Sequence, residues 1–238
     1  MVIVEFCGPG GCGKTTVCDI LEEAIRKQGV CVKNLQKSPK LRKMGEKALH
    51  KLTVLSYWLT PSGLHTGATV CLFSCLNHFS QTFHWAGRII ELQYRIRHEQ
   101  EAEVVILDEG YVQFLSSLAF TNKIGRGLDM VAHMMDRWFY ANERNQVILI
   151  RCKTDEQTII ERLLTRGRKN DRNVHENQEV MRTLIRQRYE NIDRIIDHIT
   201  PTMVYSCSTD DSEHAASWIL RKVSPMWTGA TENVEKSK

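Results

Sequence analysis

Residues 8–15 read Gly8-Pro9-Gly10-Gly11-Cys12-Gly13-Lys14-Thr15, and they fit the pattern G-x-x-x-x-G-K-[S/T] throughout. Glycines at these positions let the backbone wrap around phosphate groups with its N–H groups pointing inward. An apolar run, Val2 to Phe6, precedes the stretch, and a helical pattern from Lys14 to Gln28 follows it. The pattern requires this strand–loop–helix context, so we predict a phosphate-binding loop.

Individual residues of this loop have predictable roles. Lys14 would reach the β- and γ-phosphates of a nucleotide, and the Thr15 hydroxyl would bind Mg²⁺. Asp108 follows the apolar strand Val104 to Leu107. An acid at that position holds Mg²⁺ directly or through water, so Thr15 and Asp108 are the candidate metal ligands. The candidate nucleotide-binding residues are Gly8, Pro9, Gly10, Gly11, Cys12, Gly13, Lys14, Thr15 and Thr16.

Composition and patterning place the loop in an α/β protein. The chain has 238 residues, of which 42% are apolar and 25% charged, and these proportions exclude a disordered or collagen-like chain. Uniformly apolar strands alternate with helices, which predicts a parallel sheet covered on both faces. We expect one domain over 1–227, a mostly helical region over 36–100, and a disordered tail over 228–238.

Several element boundaries can be predicted from local signals. Further strands are expected at Val30 to Leu35, Val147 to Ile150 and Met203 to Tyr205. Thr154 with Gln157 fits a capping box, which places a helix start at Thr154. Asp210 with Glu213 predicts the start of the last helix in the same way.

Charge and location signals are mild. The net charge is +4, but nine of the residues from Arg26 to Lys51 are Lys or Arg and one is acidic. This stretch is either a solvated face or a surface for an anionic ligand. No apolar run reaches about 18 residues and no signal-peptide pattern opens the chain, so we expect a cytoplasmic protein without a membrane partner. The eight cysteines are expected as free thiols.

Two further groups carry candidate chemistry. Glu109 could be a general base, a structural acid or a hydrogen-bond partner of the substrate. Planar cationic side chains on a movable element can stabilise a phosphoryl group during transfer, with a salt-bridged surface as the alternative. The arginines in question are Arg162, Arg166, Arg168 and Arg172. Later arginines, Arg182, Arg186 and Arg188, are expected in a salt-bridged helix surface.

The phosphate loop, the strand that ends at Asp108 and the arginine-rich segment follow one another along the chain. In this order they resemble the motifs of the superfamily of adenylate kinase and thymidylate kinase. Family sequences often read R-L-x-x-R-G-R-x-x-D before a long helix, and residues 162–171 fit this pattern. Thr200-Pro201 matches the family's helix end, and Arg88 resembles the thymidylate-kinase arginine that contacts the acceptor. The resemblance implies a three-layer α/β/α P-loop NTPase fold, a five-stranded parallel sheet of order 2-3-1-4-5, and a short Arg-rich lid over 162–177. It also implies ATP as phosphate donor with Mg²⁺.

The resemblance leaves the acceptor open. Thymidylate kinases carry Asp-Arg where this chain has Asp108-Glu109, and the adenylate-kinase acceptor pattern is absent. Transfer of the ATP γ-phosphate to a nucleotide or nucleoside is the main interpretation, with Arg88 and Gln113 as candidate substrate-binding residues. The alternatives are a kinase for a polynucleotide 5′-hydroxyl or another small molecule, and an ATPase in which Asp108-Glu109 activates water. A homodimer is a further expectation.

Overall fold

The computed structural model describes residues 1–35, 56, 59–60, 64, 79–122, 126–140, 146–166, 175 and 177–227. The strands in these ranges are β1 (Val2–Cys7), β2 (Val32–Asn34), β3 (Val104–Leu107), β4 (Gln146–Lys153) and β5 (Met203–Ser208). The helices are α1 (Lys14–Lys27), α2 (Phe79–His98), α3 (Tyr111–Asn122), α4 (Arg126–Met135), α5 (Glu156–Arg166), α6 (Gln178–Ile196) and α7 (Ser212–Val223). A π-helical turn, Asp136–Tyr140, continues α4.

The strands form one parallel five-stranded sheet in the order β2-β3-β1-β4-β5, which confirms the predicted order. β1 lies in the middle, with Val2 beside Val104 of β3 and Gln146 of β4. Because the strands run in the same direction, the segments that follow β1, β3, β4 and β5 lie at one edge of the sheet. Open α/β sheets bind their ligands at this carboxyl edge.

Helices cover both faces of the sheet, and each face has its own apolar core. Ile3 of β1 packs into the core that α2, α3, α4 and the end of α6 share. Val4 and Phe6 of β1 pack into the core formed with α1, α5, α7 and the start of α6. Each apolar side chain that is fully buried in this way contributes about 1.5–3 kcal/mol to folding. The three-layer α/β/α fold is therefore confirmed.

The start of α5 differs from the prediction. Thr154 and Gln157 were expected to form a capping box, but Asp155 caps this helix. Its Oδ2 accepts hydrogen bonds from the backbone N–H groups of Gln157, at 2.9 Å, and Thr158, at 3.1 Å. Threonine and aspartate are both common helix caps, so the sequence offers two neighbouring candidates. Thr154 does not cap this helix because its side chain faces the phosphate loop.

The later helices also begin at capping side chains. Asn177 caps α6 by accepting a hydrogen bond from the backbone N–H of Glu179, at 2.8 Å. Asp211 caps α7 and accepts from the backbone N–H of Glu213, at 3.1 Å. The predicted cap, Asp210, lies one residue too early and instead accepts a hydrogen bond from the Ser208 hydroxyl at 2.7 Å.

Several expectations lie outside the described residues. These are most of residues 36–78 within the predicted helical region 36–100, residues 167–174 and 176 of the lid, with Arg168 and Arg172, and the tail over 228–238. The six cysteines in the described ranges are free thiols. Among the helices of those ranges, none combines the length and the apolar character needed to cross a membrane.

Candidate functional site

The phosphate loop, residues 8–15, connects the end of β1 to the start of α1 at the carboxyl edge of the sheet. Gly11 and Gly13 have φ angles of +87° and +94°, which favour glycine strongly over other residues. Gly13 directly precedes α1, and no side chain within the described ranges caps that helix start. The loop and the positive end of the α1 dipole therefore form a site suited to an anion such as phosphate.

Lys14 is buried within this loop. Its ammonium donates hydrogen bonds to the backbone carbonyls of Gly8, at 2.7 Å, and Pro9, at 3.0 Å. Burial acts to lower the pKa of Lys14, but the electrostatic interactions with Cys12, Cys152 and Asp108 outweigh it and raise the pKa. Lys14 thus stays charged at the centre of the loop, where it can pair with phosphate oxygens.

Asp108 and Thr15 lie together, as the sequence predicts for a Mg²⁺ site. The Thr15 hydroxyl donates to Asp108 Oδ2 at 2.7 Å. Asp108 Oδ1 is buried and accepts no hydrogen bond from the described residues. No cluster of three or more His, Cys, Asp or Glu side chains in those ranges could hold a metal ion alone. The pair therefore fits a Mg²⁺ ion that completes its oxygen ligands with phosphate and water.

Glu109 and Arg88 are neighbours beside this site. Arg88 Nη2 lies 3.9 Å from Glu109 Oε2, and Nη1 lies 3.9 Å from Glu91 Oε2. The Arg88 guanidinium also stacks above the Phe114 ring, 5.5 Å from its centroid. A shallow pocket opens here, lined by Leu35, Arg88, Glu91, Leu92, Arg95 and Phe114. Arg88 therefore connects this pocket with Glu109, which directly follows Asp108 in the chain.

Gln113 lies against the phosphate loop. Its side-chain oxygen accepts a hydrogen bond from the backbone N–H of Gly8 at 3.3 Å, and the residue is buried. This contact ties the first turn of α3 to the start of the loop. A direct contact of Gln113 with a nucleobase stays a prediction.

The arginines of the predicted lid separate into different environments. Arg162 of α5 points at the phosphate loop: a Cβ placed on Gly13 would lie 3.4 Å from Arg162 Nη1. That nitrogen is buried and has no hydrogen-bond partner among the described residues. Arg166 ends α5 and is exposed. Arg162 is therefore the described arginine of this group that lies against the phosphate loop.

The later arginines form two kinds of contact, which are surface ion pairs and one buried ring contact. Arg186 forms two hydrogen bonds with the Glu156 carboxylate, at 2.8 and 3.0 Å, and Arg182 lies 3.4 Å from Glu179. This confirms the predicted salt-bridged surface for both. Arg188 differs, because it is buried and its guanidinium stacks on Phe120, 4.4 Å from the ring centroid.

Glu5 is a buried residue at this site that the sequence analysis did not single out. Its Oε1 accepts from the backbone N–H of Val112 at 2.7 Å, and its Oε2 accepts from the Tyr140 hydroxyl at 2.7 Å. Gly110 packs directly on it, since a Cβ there would lie 2.3 Å from the Glu5 carboxyl carbon. Glu5 thereby fixes the start of α3, directly after Asp108-Glu109. A charged residue inside an otherwise apolar strand was the available signal.

The pH dependence of stability should reveal Glu5. Burial raises the pKa of Glu5 from 4.5 to about 7, although its hydrogen bonds from Tyr140 and Val112 lower it. Between pH 4.5 and 7 the folded protein then holds a proton that the unfolded chain releases, so stability falls as pH rises through this window. We expect Glu5→Gln to remove a fall on the order of 3 kcal/mol. Urea unfolding of both proteins from pH 4 to 8 checks this, and parallel curves would contradict it.

Comparisons with known proteins bear on the fold. No protein-family model and no curated protein matches the chain. The chain is similar to deoxyadenosine kinase from M. mycoides with bound dATP, with a TM-score of 0.52 and 14% identity over 93% of this chain and 99% of that chain. The same kinase with the products dCMP and a flexible dCDP bound gives a TM-score of 0.51 and 15% identity over 94% and 99%.

A weaker similarity is to shikimate kinase from Acinetobacter baumannii in complex with shikimate. Its TM-score is 0.46 at 15% identity, over 93% of this chain and 92% of that chain. The similarities to deoxyadenosine kinase, above a TM-score of 0.5, concern the fold as a whole. This chain therefore shares the fold of these deoxyadenosine kinase structures.

Proposed function

We propose that this protein is an ATP-dependent phosphotransferase of the nucleoside and nucleotide kinase type. The observation that carries the proposal is the Thr15–Asp108 pair, 2.7 Å apart, at the mouth of a loop that holds a buried Lys14. A cation, a metal-binding pair and a backbone anion site thus converge at one edge of the sheet. This combination suits a nucleoside triphosphate with its Mg²⁺.

The residues of the candidate site have separate roles in the proposed reaction. The loop backbone and the start of α1 bind the phosphates, and Lys14 neutralises negative charge on them. Thr15 and Asp108 would hold Mg²⁺, which supplies charge stabilisation when it is bound. Arg162, from α5, would contact the phosphoryl group in transfer. Arg166, Arg168 and Arg172 remain proposed members of a lid over the same group.

The acceptor we propose is a nucleoside hydroxyl. Glu109 is half exposed, with 51% of its side chain accessible, and Arg88 beside it can bind an acceptor. A hydroxyl needs a base to take its proton, whereas a phosphate acceptor is already anionic and needs none. A supporting observation is that the similar M. mycoides protein is a deoxyadenosine kinase. A thymidylate kinase-like subtype, with a nucleotide acceptor, is the second candidate.

Replacing Glu109 distinguishes a hydroxyl acceptor from a phosphate acceptor. With a hydroxyl acceptor, we expect Glu109→Gln to lower kcat by about 10²-fold or more, because the proton loses its acceptor. Glu103→Gln is the control, since Glu103 lies at the opposite end of β3 and its side chain accepts a hydrogen bond from the backbone N–H of Cys31 at 3.1 Å, which glutamine can also accept. Steady-state kinetics of both variants measure the effect. An unchanged kcat for Glu109→Gln would contradict the base role and favour a phosphate acceptor.

A panel of acceptors tests the proposed function. The panel contains nucleosides, nucleoside monophosphates and a 5′-hydroxyl oligonucleotide, each supplied with Mg·ATP. We expect phosphorylated nucleoside in chromatography of the products. A phosphorylated oligonucleotide would instead support the polynucleotide 5′-end alternative, for which the basic stretch from Arg26 to Lys51 supplies the charge.

A further inference from the structure

Two threonine hydroxyls converge on one carbonyl of the phosphate loop. Thr154 Oγ1 lies 3.0 Å from the backbone oxygen of Cys12, Thr209 Oγ1 lies within hydrogen-bond distance of the same oxygen, and the two hydroxyl oxygens lie 2.6 Å apart. Thr209 is completely buried, and Thr154 is 8% exposed. Each hydroxyl carries one proton, so a chain in which Thr154 donates to Thr209 and Thr209 donates to Cys12 satisfies both.

Both threonines are anchored in the sheet. Thr154 follows β4 and Thr209 follows β5, and these strands pair up to Lys153 and Ser208. The backbone N–H of Thr209 also donates to the carbonyl of Lys153 at 2.9 Å. The two hydroxyls therefore lie at the ends of paired strands. The Cys12 carbonyl is held by side chains of the sheet and not by residues of the phosphate loop.

Holding the Cys12 carbonyl fixes the neighbouring N–H group. A trans peptide is planar, so the Cys12 C=O and the Gly13 N–H point in opposite directions. With the carbonyl turned to the two threonines, the Gly13 N–H points to the other side of the loop. Gly13 has a φ of +94°, and glycine tolerates a rotated peptide at little steric cost. The threonines supply the restraint that glycine lacks.

We propose that Thr154 and Thr209 are positioning residues of the phosphate site, which hold the Cys12–Gly13 peptide so that the Gly13 N–H can donate to a bound phosphate. This inference rests on the proposed function, because it assumes a phosphate-bearing ligand in the loop. The threonines touch no reacting atom and act through the backbone.

Valine variants test this role. Thr209→Val and Thr154→Val keep the shape of the side chain and remove the hydroxyl. Thr209→Ser retains the hydroxyl. Thr202→Val is the matched control, because the Thr202 hydroxyl accepts from the backbone N–H of Val147 at 3.0 Å, at the opposite ends of β4 and β5. The measurements are ATP dissociation constants by calorimetry and the Gly13 amide resonance in ¹⁵N-glycine-labelled protein.

We expect Thr209→Val to weaken ATP binding about tenfold or more, because the Gly13 N–H would lose its hydrogen bond to the charged phosphate. The same variant should shift or split the Gly13 resonance, because the Cys12–Gly13 peptide is no longer held in one orientation. Thr209→Ser and Thr202→Val should bind ATP as the wild type does. Equal affinities for wild type and both valine variants at 154 and 209 would overturn the inference alone. Equal weakening by Thr202→Val would also overturn it, by indicating general destabilisation. A wild type that binds no ATP would overturn the proposed function and this inference together.

Discussion

Lys14→Ala is expected to lower kcat for phosphoryl transfer by about 10²–10³-fold, the usual cost of losing one group that stabilises transition-state charge. Lys14 is the buried cation of the phosphate loop, and its ammonium already lies within 3.0 Å of two loop carbonyls. In the variant, charge on the transferring group would lose this partner. Circular dichroism and thermal unfolding of the variant distinguish this loss of kcat from a loss of stability.

Lys27→Ala provides the matched control for this variant. Lys27 lies at the other end of α1, is 74% exposed, and pairs with Glu23 at 2.8 Å. An exposed pair of this kind contributes little to stability, so kcat and thermal unfolding should both stay near wild type. A Lys14→Ala enzyme that is folded by circular dichroism and as active as wild type would mean that the site has been assigned wrongly.

Asp108→Asn is expected to lower kcat at saturating ATP by about 10²-fold or more and to raise the Mg²⁺ concentration needed for half-maximal rate. Asparagine keeps the size of aspartate and can still accept the hydrogen bond from Thr15. It removes the negative charge at Oδ1, the buried oxygen that accepts no hydrogen bond from the described residues. The change therefore isolates the metal-binding role of the carboxylate from its packing role.

A titration of activity against Mg²⁺ measures this prediction directly. Asp19→Asn is its control, because Asp19 is an exposed carboxylate on α1, one turn after Thr15. It should leave both kcat and the Mg²⁺ midpoint near wild type. If Asp108→Asn shows the wild-type Mg²⁺ midpoint, then Asp108 does not hold the metal.

The donor half of the site could be predicted from the sequence because its signals are local. Residues 8–15 are contiguous, and the apolar run before Asp108 places that acid at the carboxyl end of β3, beside the end of β1. Strand order followed from the family resemblance and is confirmed. The local pattern and the parallel topology together were enough to predict that Thr15 and Asp108 lie close to each other.

The remaining residues depend on contacts that no local pattern contains. Thr154 reads as a helix cap by spacing, yet its hydroxyl contacts Cys12, 142 positions earlier in the chain. Glu5 reads as an exception within an apolar strand, and its role depends on Val112 and Tyr140, more than 100 positions away. Gln113 reads equally as a solvent-facing helix residue, although it binds the loop at Gly8. Long-range hydrogen bonds decide all three positions.

The most direct test of the central claim is to follow the labelled γ-phosphate of Mg·ATP in the presence and absence of a nucleoside. We expect the label on the nucleoside at a rate well above its release as free phosphate, and we expect Lys14→Ala to abolish most of this transfer. Release of the label to water alone, at a rate that no acceptor changes, would contradict the phosphotransferase assignment and identify an ATPase in which Asp108 and Glu109 activate water.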